Sequence, residues 1–173
     1  IIYFPPEALK ALAVTNRPGL HLDPVRHRWV NDLPPEQKAK VVGEAVRRSL
    51  SPDLLKQPYR QWVEEGAHPC TGHCYVASEA MYHLMGGKEA GYKPMNASLD
   101  GAPHWRVEGP HGRHDLTHEQ FDGPFPYEQG KGKGFMSKNG PDGRQLPSKR
   151  AETVMGKALQ HLDAGPGAFR QAA

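Results

Sequence analysis

Two cysteines are all that the 173 residues contain, and they lie four positions apart as Cys70 and Cys74. So close a pair makes no disulfide framework, and the two read as reduced thiols of a cytoplasmic protein. Long apolar runs are missing as well. No stretch approaches the roughly 18 residues that a bilayer-spanning helix needs, so no membrane partner is expected. The opening residues, Ile1-Ile2-Tyr3-Phe4-Pro5-Pro6, lack the basic start and long apolar stretch of a signal peptide. Hydrophobic residues are only 37% of the chain, against 19 glycines and 17 prolines. That balance predicts a small folded centre with long irregular connections.

The length suits one domain. The reading divides it into a helical lead-in over 1–66 packed on the core, an α+β core over 66–162, and a tail over 163–173. The net charge is +3, and the surplus is local. Lys131, Lys133, Lys138, Arg144, Lys149, Arg150 and Lys157 face only Asp142 and Glu152 between residues 130 and 157, leaving the rest slightly acidic. Such a segment suits phosphates or serves as an ordinary solvated face.

The stretch from His68 to Gly87 organises the chain. Pro69 and Gly72 mark a turn, after which Cys74, Ala77, Ser78, Met81, Leu84 and Met85 recur at helical spacing until Gly86-Gly87 stops them. Cys74 therefore falls in the first turn of a helix, where unpaired amide groups and the macrodipole favour an anion. A thiolate is the anion on offer.

Upstream, Pro5 to Ala13 predicts a short helix, and Thr15 to Pro24 a loop. Leu33-Pro34-Pro35-Glu36 opens a helix to Arg48, with Val41, Val42, Ala45 and Val46 as its buried stripe. Ser51-Pro52-Asp53 predicts a restart that carries Leu54, Leu55, Tyr59, Trp62 and Val63, with Pro58 bending or interrupting it. Downstream, Gly91 to Ala97 reads as a strand ending in the turn Leu99-Asp100-Gly101. His104 to Glu108 alternates, with Trp105 and Val107 on one face and His104, Arg106 and Glu108 on the other. Gly109-Pro110-His111-Gly112 is a hairpin connection to a returning strand, Arg113 to Leu116. Thr117-His118-Glu119-Gln120 fits a capping box opening a short helix through Phe121. Asp122 to Ser148 reads as one long connection, functional or mobile. Ser148 to Leu162 is the closing helix, and Gly165 to Ala173 a frayed end.

Cys74 at a helix start, His104 on a strand and Asp115 on the next strand form a constellation with a chemical rationale. A thiol needs a histidine to take its proton, and the histidine needs an acceptor on its far nitrogen. The Cys74 amide and a neighbouring polar group would receive the oxyanion. Adjacent antiparallel strands put histidine and aspartate side by side. Read without chemistry, Cys74 is a small core residue, His104 faces solvent and Asp115 serves a turn; His83, His111, His114 and His118 read as surface or satisfied.

Gly72-His73-Cys74-Tyr75-Val76-Ala77-Ser78, His104-Trp105-Arg106-Val107-Glu108 and Asp115-Leu116-Thr117 resemble the Cys–His–Asp core of transglutaminase-like and papain-like proteins. With Glu119-Gln120-Phe121 included, residues 66–122 resemble the uncharacterised bacterial and phage YunG-like family, which shares a Gly-x-Cys helix ending in Gly-Gly, a His-aromatic strand and an Asp-Leu-Thr-x-x-Gln-Phe segment. The resemblance implies a Cys-bearing helix packed on a small antiparallel sheet, with Cys74 as nucleophile, His104 as base and Asp115 as orienter. Papain-like enzymes carry an oxyanion glutamine six residues before the cysteine, a position held here by His68. His68 and His73 are thus the candidate supporting residues.

The expected function is a cysteine hydrolase or acyl transferase acting on an amide or thioester, with no cofactor and no metal. One rival is a non-catalytic module of the same fold, with nucleic acid as its partner through residues 130–157. The other is a small zinc protein using His68, Cys70, His73 and Cys74, whose spacing matches no familiar structural-zinc pattern.

Overall fold

The alternation between Met95 and Val107 builds the sheet against which the cysteine-bearing helix packs. In the computed structural model, which describes residues 20–99, 101–141 and 143–169, strands β1 (Lys93–Leu99), β2 (Ala102–Gly109), β3 (Gly112–His114) and β4 (Lys131–Gly132) form one antiparallel sheet in the order β3-β2-β1-β4. β1 pairs with β2 in a register that sets Ala97 beside His104 and Asn96 beside Trp105. Gly101, at a φ of 81°, lies in the turn between them, a left-handed conformation that suits glycine. Five α-helices accompany the sheet among the described residues: α1 (Arg28–Asn31), α2 (Pro35–Arg48), α3 (Tyr59–Glu64), α4 (Cys74–Leu84) and α5 (Lys149–Asp163). The architecture is α+β.

Helices α2, α4 and α5 pack on one another, and α4 lies against β2. The expected stripe of α2 is buried at Val41, Val42, Ala45 and Val46, and α5 contributes Val154, Met155, Ala158, Leu159 and Leu162. Gly43 permits the approach of the 115–117 segment, since a Cβ there would lie 2.9 Å from the Leu116 side chain. Glu79 is fully buried in the middle of α4. Its carboxylate accepts from the Ser148 N–H at 2.9 Å and from the Ser148 hydroxyl at 2.6 Å. The same hydroxyl caps α5 by accepting from the Ala151 N–H at 3.2 Å. One buried acid thus fixes the start of α5 against α4.

The lead-in is tied to α5 by His27, which is buried and faces Asp163 at 2.7 Å. Within the lead-in, the helical restart expected at Ser51 is more broken than its pattern suggests. After Ser51 there is only a 3-10 turn, Pro52–Leu54, and α3 starts at Tyr59 with Pro58 as its N-cap. Leu54 and Leu55 are buried, whereas Trp62 is 49% exposed and stacks edge-on against Tyr59. At the other end, Pro166–Phe169 forms a 3-10 turn whose Phe169 is buried beside Trp29. The predicted helix over 5–13, residue 100 of the predicted turn and residues 170–173 lie outside the described residues.

Candidate active site

α4 begins at Cys74, with His73 as its N-cap residue. From there the Cys74 side chain lies close enough to His104 on β2 to act on its charge. His104 Nε2 donates to Asp115 Oδ2 at 2.7 Å, with the two side chains only 1% and 4% exposed. The three residues singled out in the sequence, distant along the chain, therefore meet in one place.

Asp115 reaches His104 in a different way from the one expected. β3 ends at His114, paired with Val107, so Asp115 is one residue past the strand. It opens a turn, its Oδ1 accepting from the Thr117 N–H at 3.3 Å, which swings Oδ2 towards the imidazole. The helix expected to follow is a single 3-10 turn, His118–Gln120, and Thr117 makes no capping bond to its backbone. The Thr117 hydroxyl instead accepts from the Gln120 side-chain amide at 3.0 Å. That amide also lies 3.3 Å from His104 Nδ1.

The face of β2 bearing His104 and Arg106 is not open to water. Both residues are buried, because the long connection after Gln120 folds back over them. Phe121 and Phe125 put their rings 4.6 and 4.7 Å from the imidazole centroid. Tyr127 donates its hydroxyl to Asp115 Oδ2 at 2.8 Å. Arg106 donates to the Tyr127 carbonyl at 3.3 Å and to Glu108 at 2.9 Å. Gly130 is where the connection passes Arg106: a Cβ there would lie 2.5 Å from the guanidinium. The expected long loop is thus a cover, rejoining the sheet as β4 and sending Phe135 into the core.

The electrostatics follow from this enclosure. Burial opposes a charge on His104, but the hydrogen bond to Asp115 and the nearby Cys74 outweigh it and raise its pKa to about 9. Burial likewise opposes the Asp115 carboxylate, and the His104 and Tyr127 bonds prevail, holding it below the usual carboxylate range. Tyr127 is pushed up to about 12, by burial and by the carboxylate it faces. Asp115 and His104 form a buried ion pair.

A cavity of about 410 Å³ opens at Cys74. Tyr59, Tyr75, Trp105 and Phe121 wall it, Gln120 reaches into it, and Lys56 and Arg150 are the charged residues along its lining.

The two candidate supporting histidines sit elsewhere. His73 is fully buried with neither ring nitrogen bonded, and burial, followed by the nearby Arg150 charge, lowers its pKa to about 4. His68 accepts from the Cys70 N–H at 3.1 Å and sets Nε2 3.4 Å from Glu119; it does not line the cavity. Of the four residues weighed as a zinc set, only His68 and Cys70 come together, joined by Glu119 with all ligand atoms within 4.8 Å. Arg47 donates to Glu119 at 2.8 Å, so a guanidinium already supplies positive charge there.

Gln120, Tyr127 and Glu79 were not singled out by sequence reasoning. A buried acid inside an apolar helical stripe was the one available signal for Glu79, and the Gln of the Asp-Leu-Thr-x-x-Gln-Phe segment the one for Gln120. No protein-family model, no curated protein and no solved structure matches the chain.

Proposed function

We propose that the chain is a cysteine-dependent hydrolase or acyl transferase, of transglutaminase-like or papain-like type and closest to the YunG-like pattern, that acts on an amide or thioester. The observation that carries this reading is a buried imidazole with two partners: Asp115 at 2.7 Å on Nε2, and the thiol of Cys74 at the mouth of a cavity. With Nε2 committed to the carboxylate, Nδ1 exchanges a proton with Cys74. Sγ attacks the carbonyl carbon, and the tetrahedral oxyanion collapses. The bond to the amine or thiol leaving group breaks as His104 returns the proton to it. Water or an amine then adds to the Cys74 thioester, gives a proton to His104 and releases the acyl product, and the sulfur recovers its original state. Gln120 lines the same cavity; turning its amide away from Thr117 and His104 Nδ1 frees Nδ1 for Cys74 and gives, with the Cys74 N–H, the oxyanion donors that the position of His68 left open.

Alkylation tests this directly. Cys74 is expected to react with iodoacetamide near neutral pH about tenfold or more faster than a model thiol, and His104→Ala to abolish the difference. Equal rates for Cys74 and the model thiol would end the reading. The rival, a non-catalytic module that holds nucleic acid, draws on exposed Lys131 and Lys133 at the edge of the sheet. Two other cations of that segment are engaged elsewhere, Arg144 with Glu89 at 2.5 Å and Arg150 at the cavity.

A further inference from the structure

The cavity at Cys74 is lopsided in charge. Its lining contains two cations, Lys56 and Arg150, and no aspartate or glutamate. Positive charge near a nucleophilic sulfur favours its thiolate whatever the substrate, but two cations on one aromatic-walled cavity with no acid to pair them also form a receptor for a substrate anion. Arg150 is held in place, and the backbone that carries exposed Lys56 is anchored. Arg150 is half-buried, donates to the Leu54 carbonyl at 3.0 Å, and sits in the first turn of the helix whose start Glu79 and Ser148 pin to α4. Its charge reaches both chain neighbours of Cys74, His73 and Tyr75. Lys56 follows Leu54 and Leu55, which are buried and anchor that turn.

We infer that the acyl group delivered to Cys74 carries a carboxylate near its reacting carbonyl, and that Lys56 and Arg150 receive it. This inference rests on Cys74 being the nucleophile. The aromatic walls, Tyr59, Tyr75, Trp105 and Phe121, enclose the apolar part of such a substrate, and their low dielectric strengthens the pull of the cations. A guanidinium whose other nitrogen is already tied to a carbonyl still offers donors in fixed geometry to a carboxylate.

Iodoacetate and iodoacetamide form a near-isosteric pair that separates the two claims. Each forms a sulfur–carbon bond to Cys74 and expels iodide; they differ in a carboxylate against a neutral amide. The ratio of their rates cancels changes in the thiol itself, and the His104 charge is common to every variant compared. The expected result is a wild-type ratio above that of a model thiol, reduced about threefold or more in Lys56→Met and in Arg150→Gln, and further in Lys56→Glu. Lys131→Met, which removes an equal charge away from the cavity, is expected to keep the wild-type ratio. Should Arg150→Gln misfold through loss of its bond to Leu54, the two variants at exposed Lys56 carry the test. A fast iodoacetamide reaction with a ratio that the Lys56 variants do not move, or that Lys131→Met moves equally, would overturn the carboxylate site alone. An iodoacetamide reaction no faster than that of the model thiol would remove the nucleophile, and this inference with it.

Discussion

Tyr127 and His104 place their hydrogen bonds on the same oxygen of Asp115, at 2.8 and 2.7 Å. The carboxylate that orients the imidazole is itself oriented by a phenol from the covering loop. Tyr127→Phe keeps the ring that Arg113 lies over at 3.5 Å and removes only the hydroxyl. The variant is expected to lose about 1 kcal/mol of stability in urea denaturation. Its Cys74 should alkylate several-fold more slowly, about threefold to tenfold, as Asp115 loosens. Unchanged stability and rate would show that Asp115 needs no second donor.

The imidazole itself gives a spectroscopic reading. His104 is expected to titrate near about 9 when followed by NMR of its ring nitrogens, and Asp115→Asn to lower that midpoint by about a unit or more. The sign for stability follows. A histidine whose folded pKa exceeds its ordinary 6.5 contributes fully below 6.5 and loses that contribution as pH rises through about 9. Denaturation midpoints should therefore fall on the alkaline side in the wild type, and less so in His104→Gln.

His73 and His83 work in the opposite direction. Burial lowers each to about 4, so between 6.5 and about 4 the unfolded chain binds protons that the folded chain refuses. Stability is expected to fall as pH drops through that window, by up to about 1.4 kcal/mol per pH unit for each histidine. His73→Gln and His83→Gln should each flatten the acid limb of the stability profile.

Much of this arrangement was legible because it is local. The spacing from Cys74 to Leu84, the stripe from Val41 to Val46, the alternation from His104 to Val107 and the glycines at 101 and 112 each state a conformation within a few residues. The helix start and the strand that carry Cys74 and His104 could be read in the same way, but Asp115 reaches the imidazole from a turn just past β3 and not from the strand. What stayed hidden depends on contacts across the fold. Nothing near Tyr127 in sequence says that its hydroxyl meets a carboxylate 12 residues earlier. The face bearing His104 and Arg106 reads as open until the 118–130 segment is seen lying over it. Tyr59 and Trp62 carry the apolar pattern of a buried helix, yet they pack on each other at the surface.

Glu79 links the core to the cavity. Glu79→Ala strands the Ser148 N–H in a buried setting, and the expected cost is about 1–3 kcal/mol in urea denaturation. Ser148→Ala removes both the cap and one donor to the buried Glu79 carboxylate, and should cost about 2 kcal/mol. The Ser148→Ala variant releases the start of α5 without changing any charge, so the iodoacetate preference of Cys74 should drop although Arg150 itself is untouched.

The nucleic-acid rival has its own measurement. On a DNA column the wild type is expected to elute at low salt, with no steep dependence of retention on ionic strength. Strong salt-dependent retention that Lys131→Met and Lys133→Met reduce and Cys74→Ala leaves intact would favour the binding module instead.

Position 130 holds a lesson for anyone mutagenising this protein blindly. The buried Arg106 guanidinium fills the space where a side chain would grow from Gly130, and through Tyr127 it is coupled to Asp115. A single added methyl, silent on the outer surface and remote in sequence from Cys74, would be transmitted along that chain of contacts. Loss-of-function alleles recovered from a random library should therefore cluster at this glycine, and a second-site change shortening Arg106 is where suppressors ought to appear.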